Sequence, residues 1–314
     1  MWFKQVKILQ LTTLIYDAET LEGQLSNLAF QPCLPSLPSS YGWVSPLQQD
    51  NAPLVHAANG YMLLCMQVEE KILPAMVVNQ ALQEKVRVLE NQQDRKLAKK
   101  EKYSLKEEIT QSLLPRAFSK FTRVYAYIDL KNAWLVIGSN VAGKCEKFLE
   151  LFKRSQQDFM VQAVNVKKIS PILSQWLLHD NSPDSLLIEK SCVLSDPKQQ
   201  SRVIRCQEQD LYAAAILSLL KEGCEVFQLS LSWQGKIHFT LSEDFGLKNI
   251  KYQDTVLDLA KDNYGESAAQ RFDADFVIMT ETLSALLVLL SALFLKQEVQ
   301  EQVLMSSYVE SVTA

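Results

Sequence analysis

The stretch from Val277 to Leu295 is almost wholly apolar and reaches the ~20 residues that a transmembrane helix needs. It must therefore sit in lipid or inside a folded body that surrounds it. Thr280, Glu281, Thr282, Ser284 and Ser291 shorten its strictly apolar part, and the expected state is a helix buried in a core or at a dimer contact, with a membrane span as the alternative. The chain of 314 residues, 47% of them hydrophobic, can bury such a helix in two or three packed subdomains. The N-terminal run Met1-Trp2-Phe3-Lys4-Gln5-Val6-Lys7 alternates like a strand and lacks the apolar run and cleavage site of a signal peptide. A cytoplasmic protein is the expectation.

The remaining patterns alternate between the two periods. Leu21, Leu25 and Leu28 recur at helical spacing within Ala18 to Leu28, and the Pro- and Ser-rich run Gln31 to Ser40 follows as a surface loop. Val78, Leu82, Val86 and Leu89 then mark a long amphipathic helix running into the charged stretch Asp94 to Lys102. Ser104-Leu105-Lys106-Glu107 has the form of a capping box, and Leu105, Ile109 and Leu113 make a second stripe before Pro115. Residues 75–115 thus read as a helical hairpin projecting from the body. Val124 to Ile128 and Ala133 to Ile137 read as a β-hairpin, with a helix through Phe148, Leu149 and Phe152. Glu225 to Trp233 and Lys236 to Leu241 form another around Gln234-Gly235, after a helix from Leu211 to Lys221 that stops at Gly223. The class is α+β.

Catalytic patterns are sparse. Gly138-Ser139-Asn140-Val141-Ala142-Gly143-Lys144 follows a strand, opens a helix and fits a P-loop up to its last position. That position is Cys145, a poor ligand for magnesium, and the strand before it is half of a β-hairpin; the readings are a plain strand-to-helix turn or a nucleotide hydrolase using Lys144. His56, His179 and His238 are isolated, and the six cysteines form no CxxC pair, so zinc and structural disulfides are not expected. Glu69-Glu70, Glu107-Glu108 and Asp273-Ala274-Asp275 read as solvated faces or salt-bridge partners. No catalysis, cofactor or metal is expected.

The charge is unevenly placed. Between Arg95 and Arg123, nine cations (Arg95, Lys96, Lys99, Lys100, Lys102, Lys106, Arg116, Lys120, Arg123) face three carboxylates, a net of +6. Since the whole chain carries -4, the remainder carries -10. Such segregation fits phosphate contacts, which need cations but no base-reading side chains; a solvated helix with Glu–Lys pairs fits it equally. Beside it, Phe118 and Phe121 share a face if the segment is helical, as do Arg116 and Lys120. They read either as an aromatic anchor beside phosphate-binding cations or as two core phenylalanines.

Several runs resemble the bacterial recombination-associated RdgC family: Glu69-Glu70-Lys71-Ile72-Leu73-Pro74, Arg95-Lys96-Leu97, Glu101-Lys102, Ser104-Leu105-Lys106, Ser112 to Ser119 and Gln270 to Phe276. Trp2-Phe3-Lys4, Ala29-Phe30, Pro32-Cys33, Gly42-Trp43-Val44 and Ala58-Asn59-Gly60 extend the likeness over nearly the whole chain, with residues 155–245 the most divergent. The resemblance implies a horseshoe-shaped subunit: a central region (1–74 plus 117–165), a helical tip (75–116), a base (166–265) and a C-terminal helical segment (266–314). Two subunits would pair into a ring homodimer around duplex DNA, bind it without sequence preference (single-stranded DNA being a further ligand), and restrain RecA-promoted strand exchange at the nucleoid, the alternative being an antagonist that acts mainly by touching RecA itself. The resemblance tips the charge reading toward phosphate contacts by Arg95, Lys96, Lys99, Lys100, Lys102, Arg116, Lys120 and Arg123, and Phe118 matches an aromatic residue near the tip closure. Glu208 stands where the family has a basic residue.

Overall fold

The computed structural model describes residues 1–12, 17–47, 49, 52–156 and 160–295, with backbone alone at 199–201; the C-terminal part of the expected helical segment, 296–314, lies outside them. Two antiparallel sheets carry the fold, as the alternating segments require. The first contains β1 (Lys7–Leu11), β2 (Ser39–Val44), β3 (Val55–Ala58), β4 (Tyr61–Ile72), β5 (Phe118–Asp129), β6 (Trp134–Ile137) and β7 (Val161–Ala163). Its order is β2-β4-β5-β6-β1-β7, with β3 also on β4. The second contains β8 (Leu186–Asp196), β9 (Gln199–Cys206), β10 (Glu225–Trp233), β11 (Ile237–Ser242) and β12 (Leu247–Tyr252), in the order β12-β11-β10-β8-β9.

The helices are α1 (Ala18–Ser26), α2 (Ala75–Gln93), α3 (Lys99–Leu113), α4 (Ala142–Ser155), α5 (Ile169–His179), α6 (Ala214–Lys221), α7 (Asp254–Asp262) and α8 (Ala268–Phe294). Alternation splits the first sheet between two cores. One face sends Leu64, Met66, Val124, Ala126 and Ile137 against Leu21 and Leu25 of α1 and Phe148 and Phe152 of α4. The other sends Leu63, Tyr127 and Val136 into a second core shared with Leu229, Leu231, Phe239 and Leu241 of the second sheet. Helix α8 fills that shared core through Phe276, Met279, Leu283, Leu287, Leu290 and Phe294, all fully buried. It is long and apolar enough to cross a membrane, and here that apolar length packs between two sheets.

Backbone bonds weld the sheets together. Val6 and Leu247 exchange N–H···O bonds of 2.8 and 3.0 Å, and Ile250 N–H donates to Lys4 O at 2.8 Å. The expected opening strand is thus displaced: its ladder runs Lys7–Leu11, while Lys4 to Val6 cross to β12. The β10–β11 hairpin turns at Gln234 (φ 47°) and Gly235 (φ 63°), the two positive φ angles that a two-residue turn matched to strand twist requires. Gly223 (φ 102°) follows α6 where a left-handed residue is needed.

Helices α2 and α3 form the expected hairpin, with two corrections. The charged stretch does not continue α2, because Asp94 turns left-handed (φ 47°) and residues 94–98 make the bend. Nor does the second helix begin at Ser104, which lies exposed inside α3; it begins at Lys99, where Glu101 Oε2 accepts from Ala98 N–H at 2.7 Å. The buried residues of this region, Val78, Leu97, Ile109 and Leu114, belong to neither main core.

Candidate nucleic-acid interface

The hairpin's cations divide by what faces them. At the bend, Arg95 grips Glu101 through two bonds of 2.9 and 2.6 Å. Glu90, at the end of α2, accepts from Leu97 N–H at 3.0 Å and from Lys96 and Lys102 Nζ at 3.1 Å each. The Leu97 amide first, then the two ammoniums, hold Glu90 down at about 2; Arg95 first, then the Ala98 amide, hold Glu101 at about 2. Arg95, Lys96 and Lys102 are thus partly neutralised within the turn. Among the described residues, Lys99, Lys100 and Arg116 make no ion pair, and all three are exposed. Lys99 opens α3 and Arg116 follows it, so a 15-residue helix about 22 Å long lies between the two. That distance spans about six phosphates of one DNA strand.

Glu90 should fasten the bend. Its lowered pKa means that its contribution is complete above the ordinary 4.5 and is lost as the pH falls through about 2. Glu90→Ala is expected to speed hydrogen exchange at Leu97 N–H near neutral pH. Unchanged exchange there would contradict this role.

Phe118 to Arg123 are strand, not helix, which overturns the expected sharing of faces. All twelve residues of β5 pair in continuous register with β4, Ile72 opposite Phe118 and Tyr61 opposite Asp129. Even-numbered residues point toward α4 and odd-numbered ones toward the second core, as the burial of Val124, Ala126 and Tyr127 fixes. Phe118 and Phe121 are therefore on opposite faces, and neither is core: they are 84% and 58% exposed. Lys120 shares the α4 face with Glu70, which Lys147 bonds at 2.8 Å. Lys147 first, and Lys120 and Lys144 beyond it, lower the Glu70 carboxyl. Arg123 lies on the other face and bonds Gln67 Oε1 at 3.0 Å.

Arg123 opens onto a feature the sequence reading missed. A groove of about 1190 Å³ runs between the N-terminal segment, β5 and the solvent face of the second sheet. Its cations are Lys4, Arg123, Lys190 and Lys251; Ser230, Thr240 and Asn249 make a polar floor, and Glu189 and Glu208 are its side-chain carboxylates. Ser230 and Thr240 hydroxyls bond at 3.0 Å, and His238 Nδ1 meets Glu189 at 3.0 Å. The polar residues alternate with Leu229, Leu231 and Phe239, which is visible in the sequence. What they face is not visible there.

The near-P-loop is occupied by structural bonds. Its strand, β6, is antiparallel to both neighbours, β5 and β1. Lys144 N–H and Cys145 N–H both bond Val141 O, and Ser139 N–H bonds Ile137 O, so these amides are not presented to a phosphate. Asn140 Nδ2 donates to Leu247 O at 2.6 Å, pinning the junction between the sheets. Of the acidic pairs, Glu69 is buried and accepts from Cys33 N–H at 2.8 Å, contrary to a solvated face. Asp273 bonds His56, and Asp275 the Met1 ammonium. Among the described residues, no three His, Cys, Asp or Glu side chains cluster as a metal site.

Two antiparallel sheets sharing one core helix, with a cationic helical hairpin set between neighbouring strands, define the class to which this chain is compared. A family model described as "Putative exonuclease, RdgC" matches residues 1–297. The Recombination-associated protein RdgC of Proteus mirabilis (strain HI4320) is 37% identical over 289 residues, covering 91% of this chain and 96% of that protein. That of Yersinia pestis (strain Pestoides F) is also 37% identical over 289 residues, covering 91% and 95%. The chain belongs to the RdgC family, whose curated relatives are recombination-associated proteins.

Proposed function

We propose that this chain is a non-enzymatic protein that binds duplex DNA without reading its sequence and, as a homodimeric ring closed around the duplex, restrains RecA-promoted strand exchange at the nucleoid. The observation that carries the reading is the placement of unpaired cations on an acidic chain: Lys99, Lys100 and Arg116 have no carboxylate partner among the described residues, while the chain outside residues 95–123 carries a net charge of -10. Lys4, Arg123, Lys190 and Lys251 in the groove offer further phosphate contacts. Phe118, exposed beside its exposed register partner Ile72, supplies an apolar contact for a second copy. The duplex held this way is withheld from the recombinase filament.

The test is retention on closed circular DNA. Protein loaded on a covalently closed circle should survive a salt wash and be released when the circle is cut; equal retention on circular and linear DNA would overturn encirclement. Nuclease activity in the purified protein would overturn the non-enzymatic reading. Glu208 is on the groove wall, where a duplex lying in the groove would meet it with the wrong sign. Glu208→Lys is expected to tighten binding and steepen the log–log salt dependence by about 0.9, the value of one phosphate contact; an unchanged slope would remove Glu208 from the interface.

A further inference from the structure

Two cysteines that the DNA-binding reading does not use face each other across a strand pair. Cys192 of β8 and Cys206, the last residue of β9, are register partners. Opposed residues of antiparallel strands have Cα atoms about 4.5 or 5.5 Å apart, and both separations fall within the roughly 4.4–6.8 Å that a disulfide spans. The Cys206 thiol is near enough to contribute to the raised pKa of Cys192. Cys192 is only 3% exposed, whereas Cys206 is half-buried on an edge strand and reachable from solvent. The other four cysteines are buried, and none has another cysteine as register partner.

We propose that Cys192 and Cys206 form a reversible thiol–disulfide site whose oxidant is a peroxide. The Cys206 sulfur attacks one peroxide oxygen, the O–O bond breaks, and Cys206 becomes a sulfenic acid as one water leaves. The Cys192 sulfur then displaces the sulfenic oxygen; the S–S bond forms and a second water carries away the remaining protons. Two thiols and one peroxide give one disulfide and two waters, and an external dithiol reverses the change by exchange. Burial, reinforced by the neighbouring thiol, pushes Cys192 up to about 12, so first attack falls to the more exposed Cys206. The bond would fix the end of β9 to β8 immediately before Gln207 and Glu208, which line the groove. A pair that closes and reopens is also the form in which disulfides occur in a reducing compartment.

The experiment is peptide mapping of the purified full chain, without reductant, after graded hydrogen peroxide. The expected product is a cross-linked pair of peptides containing Cys192 and Cys206, about 2 Da lighter than the two thiol peptides together and restored by dithiothreitol. Cys206→Ser should abolish it, and Cys192→Ser should leave Cys206 as a sulfenic acid captured by dimedone. Recovery of both residues as thiols at peroxide doses that oxidise exposed methionines such as Met76 would overturn the proposal. So would a Cys206 cross-link to any other cysteine in preference to Cys192. Neither result depends on DNA binding, so the two readings fail separately.

Discussion

Replacing Lys99, Lys100, Arg116 and Lys120 together by alanine is expected to flatten the salt dependence of DNA binding by about 3.6 in log–log slope, at about 0.9 for each of four phosphate contacts. The deficit relative to the parent should therefore shrink about 150-fold as salt rises from about 50 to about 200 mM. The four residues are exposed, so thermal unfolding should change little; exposed substitutions usually stay within about 0.5 kcal/mol each. A constant deficit with an unchanged slope would mean that these cations do not meet phosphate. The set omits Arg95, Lys96 and Lys102, because Glu101 and Glu90 already face them. Removing those three should cost less binding, since each is partly neutralised before DNA arrives.

Phe276→Ala is expected to destabilise the fold by about 3–5 kcal/mol, the range for emptying an aromatic core position. Phe276 is fully buried and packs edge-on against His56, ring centres 5.5 Å apart. It also belongs to the core shared by both sheets. Domains are stable by only about 5–15 kcal/mol, so the urea midpoint should fall steeply. Val288, on the exposed side of the same helix, provides the contrast: Val288→Ala should shift stability by no more than about 0.5 kcal/mol. Equal losses from the two would contradict the packing of α8 between the sheets.

The sequence was most legible where one element supplies its own signal. The β5–β6 and β10–β11 hairpins, α1 and α8 follow from period, turn residues and apolar length. The start of α3 was misread because Ser-x-x-Glu also occurs inside charged helices, while the real N-terminus is closed by Glu101 reaching back to a backbone amide at Ala98. Phe118 to Arg123 misled for a different reason. Their local spacing suits a helix, but twelve consecutive pairings with β4 impose the extended form. The eight cations expected on DNA are consequently not one patch: they divide among the bend, the end of α3 and the two faces of β5.

The groove was illegible because its walls are far apart in the chain. Lys4, Arg123, Lys190 and Lys251 meet only after the Val6–Leu247 ladder joins the sheets. Most of the bonds that close it are backbone bonds, which leave no residue-type signature. By contrast, the near-P-loop shows a strong local pattern whose amides turn out to be used within the turn itself.

The central claim, that phosphate and not base sequence is what this protein recognises, is met most directly by titrating two unrelated duplexes of equal length across a salt series. The account predicts superimposable affinities that fall steeply and in parallel, each contact adding about 0.9 to the slope. A tenfold or greater preference for one duplex, or affinity unchanged between about 50 and about 300 mM salt, would contradict it.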